Sequence, residues 1–124
     1  MERDDLTGQV IGAAMRVHSA LGPGFLESVY VKALQIELTE LGILAEAERP
    51  IPVKYKGQPV GCFEANLIVG EALINEVKAV STLAQIHEVQ LVNYLTATHI
   101  EDGLLLNFGA PSLQFKRKRR TLPV

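Results

Sequence analysis

The chain predicts an α/β domain with the element order α-α-β-β-β-α-β and a further strand at its end. Three observations carry this. Apolar residues recur at helical spacing in two N-terminal segments; the middle of the chain changes to β-branched and aromatic runs cut by Gly-containing turns; and one more helix-favouring run precedes a short apolar strand.

Leu6, Val10, Ala13, Ala14, Val17 and Leu21 fall on one stripe, with Arg3, Gln9 and Arg16 elsewhere around the helix. Gly22, Pro23 and Gly24 end that helix and allow a tight reversal. A second stripe of Val29, Ala33, Leu34, Leu38 and Leu41 follows, with Gly42 as its C-cap. "IPVKYKG" and "VGCFEANLIV" then read as two antiparallel strands joined by a hairpin turn at "KGQP". Gly70 and Glu71 make the next turn. "ALINEVKAV" is nearly continuous in apolar character, which predicts burial on both faces and a central place in the sheet. Thr82 and Gln85 match a capping box for a third helix running from Leu83 to about His99. After Asp102 and Gly103, "LLLNFG" is a short buried strand, and "LQFKRKR" adds an edge strand whose cations discourage aggregation.

At 124 residues the chain is read as a single domain, 1–124, with a basic C-terminal segment, 116–124. Apolar residues make up 48% and charged residues 21%, an ordinary globular composition. The opening "MERDDLTGQV" lacks the apolar stretch of a signal peptide and no later segment has the length of a membrane span, so no membrane partner and a cytoplasmic location are expected. Cys62 has no second cysteine to pair with and is expected to be a small core residue; His18, His87 and His99 lack zinc spacing. The net charge of −2 conceals five consecutive cations, Lys116, Arg117, Lys118, Arg119 and Arg120, which serve either as a footprint for a polyanion or as a solvated end.

Polar groups inside the apolar strands are the informative feature. Glu76 and Lys78, two apart, lie on one strand face as a carboxylate and ammonium pair, and a hairpin at Gly70 would bring Asn66 near Glu76. A buried ion pair costs several kcal/mol per ion unless well partnered, which points to a site; a structural pair on a half-exposed face is the plainer alternative. Glu27 with Tyr30, and Gln90 with Tyr94, sit at helical spacings that let each pair aim at a common point. Asn75, facing away from Glu76, is expected to be a hydrogen-bonded structural group. No Gly-rich loop follows a strand, and there is no Ser/His/Asp arrangement, which leaves small-molecule enzymes little support.

"GFLESVY" contains G-x-x-E-x-x-Y, and with "VKYKG", "EVKA", "QLVNYL" and "GLLLNFG" in that order the chain resembles the bacterial GxxExxY protein family of the PD-(D/E)XK nuclease-like superfamily, from about His18 to Arg117. The resemblance implies a mixed sheet flanked by helices and a divalent-metal phosphodiesterase site using Mg²⁺ or Mn²⁺. It makes Asn66 and Glu76 the metal ligands, Lys78 the residue that orients or activates water, Glu27 a support for the metal or its waters, and Gln90 and Tyr94 contacts to nucleic acid or props of the site. Where the family pattern reads F-x-A-D-L-x-V, this chain has "FEANLIV". Asn66 thus removes a charge where a hard cation needs one, and Glu64 on the same predicted face is a weak substitute. The expected function is a nuclease-fold domain that binds DNA or RNA through its basic segment, with cleavage impaired by Asn66. The alternative is a non-enzymatic adaptor or homodimer that keeps the fold.

Overall fold

The computed structural model describes residues 3–120. Its elements are α1 (Arg3–Leu21), α2 (Glu27–Glu40), β1 (Ala45–Tyr55), β2 (Gln58–Val69), β3 (Leu73–Lys78), α3 (Gln85–Thr98), β4 (Asp102–Asn107) and β5 (Gln114–Arg119). They form an α/β fold in the predicted order, a five-stranded sheet β1-β2-β3-β4-β5 between helices. The β3–β4 pair is parallel and the other three are antiparallel, so the sheet is mixed and α3 is the crossover that parallel pairing requires.

Alternation along the central strands divides the core. Leu67, Val69, Leu73, Val77, Leu104 and Leu106 pack with α1 and α2, while Ile68, Ile74 and Leu105 pack with Leu91 and Leu95 of α3. Burial of both faces is why β3 and β4 read as continuous apolar runs. Among the described residues no helix is long and apolar enough to cross a membrane.

Gly42 follows α2 with φ 74, and the N–H groups of Gly42 and Ile43 close onto the carbonyls of Thr39 and Leu38, the paired bonds of a Schellman ending. The Thr82–Gln85 capping box does not form. The N-cap is Ala84, whose N–H donates to His87 Nδ1 at 3.2 Å. The physical reason lies upstream: Asn107 holds Val80 by both its N–H and its carbonyl, at 2.9 and 2.8 Å, where the chain bends over residues 80–82, so Thr82 lies in that bend and not at the helix start.

Three further expectations are corrected. β1 begins at Ala45 rather than Ile51, because pairing with Ala65–Val69 holds residues whose own propensity is weak. Cys62 is exposed, since it lies where β2 has lost β3 as a neighbour. Asn75 is fully buried, yet among the described residues neither its Oδ1 nor its Nδ2 has a partner.

Candidate active site

The site is built where β2 and β3 part. Their ladder holds only Leu67↔Asn75, Ile68↔Ile74 and Val69↔Leu73. At the next row side chains replace the backbone pairing: Asn66 N–H donates to Glu76 Oε2 at 2.9 Å, and Val77 N–H donates to Asn66 Oδ1 at 2.8 Å. On the other edge of β2, the ladder with β1 passes from Ala47↔Leu67 to Arg49↔Ala65, leaving Glu48 between them with φ 58. Leu67 belongs to the α1/α2 core and Ala65 to the α3 core, so the alternation of faces breaks at Asn66. That break turns Asn66 toward a cleft of about 390 Å³ that it lines with Glu27, Lys32, Gln35 and Glu48.

Glu76 forms the buried side of this arrangement, at 7% exposure. Burial pushes its carboxyl up to about 7; the Asn66 N–H and the charge of Lys78 act downward, and the charge of Glu27 acts upward. Glu27, Asn66, Glu76 and Lys78 therefore share one electrostatic neighbourhood. The expected contact pair between Glu76 and Lys78 is corrected: among the described residues no ion pair joins them, and Lys78 acts on Glu76 through space.

Tyr94 stacks on Phe63, with centroids 3.8 Å apart, and burial, then the charge of Glu76, raises its phenol above the usual range. Gln90 lies exposed one turn earlier on α3. The pairing of Glu27 with Tyr30 at a common point does not occur. Tyr30 is buried, donates to Gly22 O at 2.6 Å, accepts from Phe25 N–H at 3.1 Å and stacks on Phe108, so it anchors the loop from which Glu27 starts α2. Glu64 is exposed opposite Pro50. Glu48, which sequence reasoning missed, lines the cleft; counting back from the Lys56-Gly57 turn sets it opposite Ala65, and only the register shift between Val53 and Lys54 moves it to the row of Asn66, so no signal in the sequence placed it there.

The basic segment forms β5. Lys118 pairs with Glu88 at 3.0 Å, Arg119 with Asp102 at 3.4 Å, and Arg120 lies 3.3 Å from His99 Nδ1. Lys116 and Arg117 are exposed and make no ion pair among the described residues. Residues 121–124 of the predicted segment lie outside the described residues.

A mixed sheet with an E-x-K strand at a split between strands defines a nuclease-type core. The family model of the PD-(D/E)XK nuclease superfamily matches residues 4–119, and the chain belongs to that superfamily. Among solved structures, the crystal structure of SSO0001 is similar in fold, with a TM-score of 0.59 at 18% identity over 77% of this chain and 50% of that one. The chain thus spans half the length of that protein. No curated protein matches.

Nucleases of this superfamily generally use divalent metal ions. The residues here do not complete such a site. Among the described residues no group of three or more His, Cys, Asp or Glu is placed to hold a metal. Asn66 Oδ1 and Glu76 Oε2 both face backbone N–H groups, and Asn66 brings no charge. What remains is the other oxygen of Glu76, with Glu27 and Glu48 along the cleft but not gathered with it into a group that could hold a metal, and no carboxylate at position 66 to complete the set a hard dication takes.

Proposed function

We propose that this chain is a nucleic-acid-binding domain of nuclease fold whose metal-dependent phosphodiester cleavage is impaired by Asn66. The bonds from Asn66 N–H to Glu76 Oε2 and from Val77 N–H to Asn66 Oδ1 carry the reading. They close the gap between β2 and β3 with the two side chains that would otherwise hold an ion. The resemblance to the GxxExxY family, through Gly24, Glu27, Tyr30, Glu76, Lys78, Gln90 and Tyr94, supports a retained nucleic-acid surface around a weakened centre.

In this reading Lys78 is the group that would orient an attacking water, and Glu27 the carboxylate that would steady it from the cleft rim. Gln90 and Tyr94 border the bound strand. Lys116 and Arg117 make the phosphate contacts of the basic segment, because the other three cations already have partners within the fold. Neutralising both should lower the slope of log affinity against log salt by about 1.8 on a duplex.

Cleavage of labelled single- and double-stranded DNA and RNA with Mn²⁺ tests the reading. The parent should bind and cut feebly or not at all, Asn66→Asp should cut, and Asn66→Asp with Lys78→Ala should not. Absence of binding to every nucleic acid would overturn it in favour of an adaptor.

A further inference from the structure

The β1–β2 hairpin outruns the sheet. β3 pairs with β2 only at residues 67–69, but the β1–β2 ladder continues from Pro50↔Glu64 to Tyr55↔Gln58 and closes in a two-residue turn at Lys56 and Gly57, both with positive φ. The result is a two-stranded ribbon about 17 Å long with no third strand among the described residues. Because β2 runs antiparallel to β3, the ribbon projects past the end of β3 that carries Lys78. Ile51, Phe63 and Tyr94 fix its base against α3.

Beyond that base the ribbon is solvent-facing, and its composition is unusual for a free hairpin. Tyr55 is 64% and Val60 62% exposed, and the Lys56 ammonium stands 5.5 Å from the centre of the Tyr55 ring. Between Pro50 and Phe63 there are two cations, Lys54 and Lys56, and no acid. A protein strand adding to the β1 edge of the ribbon is disfavoured. Pro50 and Pro52, two apart on β1, supply no N–H along that edge, and prolines in strands sit with that side toward solvent.

We infer that this ribbon is a groove-binding arm for double-stranded DNA. The inference rests on the nucleic-acid reading above and assigns its substrate class. A two-stranded ribbon fits the B-form major groove, about 12 Å wide, whereas the A-form major groove of RNA is too narrow for side chains to read. Lys54 and Lys56 meet phosphates at the groove walls, and Tyr55 and Val60 supply apolar contact. The duplex is thereby held next to the cleft that Asn66 lines.

The chain's single cysteine, Cys62, is exposed on the ribbon and gives a direct probe. The full chain carrying a fluorophore on Cys62 would be titrated with a short DNA duplex, with DNA anisotropy followed in parallel. The emission should change with the same midpoint as the anisotropy. Lys54→Gln with Lys56→Gln should lower the salt slope of binding by about 1.8, and Tyr55→Ser should weaken binding at all salts. An equally short RNA duplex should bind more weakly. DNA binding with a silent label and an unchanged slope in the lysine variant would overturn the arm while sparing the nucleic-acid reading. Equal affinity for the RNA duplex would overturn the groove assignment. No binding of either duplex would overturn both readings. Dimerisation lost in Tyr55→Ser, with DNA binding intact, would assign the ribbon to a second copy of the chain instead.

Discussion

Asn66 and Glu76 each satisfy a backbone N–H on the opposite strand: Glu76 Oε2 accepts from Asn66 itself, and Asn66 Oδ1 accepts from Val77, the neighbour of Glu76. Two side chains thus replace the row of strand pairing that the separation of β2 and β3 removes. The same exchange buries a carboxylate beside an amide rather than beside a second charge.

The first consequence is a pH dependence. Burial raises the Glu76 carboxyl from its ordinary 4.5 to about 7, so the folded chain holds this proton more tightly than the unfolded chain. Its contribution to stability is therefore greatest below the unfolded value, declines as pH rises toward 7, and levels off above it, a change on the order of 3 kcal/mol. Glu71 and Glu88, held low by Arg49 and Lys118, act in the opposite sense at acid pH. A parent-minus-variant comparison with Glu76→Gln isolates the effect, because glutamine keeps an oxygen for the Asn66 N–H. Denaturant midpoints in chelator should show Glu76→Gln gaining on the parent as pH rises. A difference that stays flat would refute the assignment.

Asn75 supplies a second test. Its side chain is completely buried, with neither polar atom paired among the described residues, at a position where Leu73 and Val77 on the same strand face pack against α1 and α2. An unsatisfied buried amide costs about 1–3 kcal/mol. Asn75→Leu, similar in shape and apolar, should raise stability by about 1 kcal/mol, or roughly 4 °C in thermal midpoint. A lowered midpoint would show that the amide is needed where it lies.

Tyr30 tests the loop that launches α2. Tyr30→Phe keeps the stack on Phe108 but removes the hydroxyl that serves Gly22 O and Phe25 N–H. The expected cost is about 1–2 kcal/mol, seen as a lower denaturant midpoint with unchanged slope. Stability equal to the parent would mean that the Gly22–Phe25 turn holds itself.

Local periodicity made most of this fold legible. The apolar stripe of α1 and the uninterrupted run of β3 are signals contained in their own residues, whereas the stripe drawn on α2 is displaced: Tyr30 and Val31 are buried and Val29 and Leu41 exposed. A hairpin at Gly70 brought Asn66 near Glu76, but their shared row is set by a connection that takes in Gly70, Glu71 and Ala72. What sequence did not show depends on partners far along the chain. Ala45–Pro50 is strand only because β2 lies beside it. Cys62 is exposed because β3 ends its pairing with β2 before reaching it, and α3 starts late because Asn107, 27 positions beyond Val80, holds that residue. Tyr30 carried a family motif, but its place beside Phe108 made it an anchor rather than a partner of Glu27. Asn75 defies the pattern outright: nothing in its surroundings accounts for an amide there.

The central claim is that Asn66 leaves this nuclease-type centre one charge short. Thermal unfolding of the parent and of Asn66→Asp, each in chelator and in excess Mn²⁺, tests it most directly. In chelator the new carboxylate repels Glu76, and the variant should melt below the parent. In Mn²⁺ at about a hundredfold over its dissociation constant, the variant should recover by about 2.7 kcal/mol while the parent barely moves. Equal Mn²⁺ stabilisation of parent and variant, or none of the variant, would contradict the account.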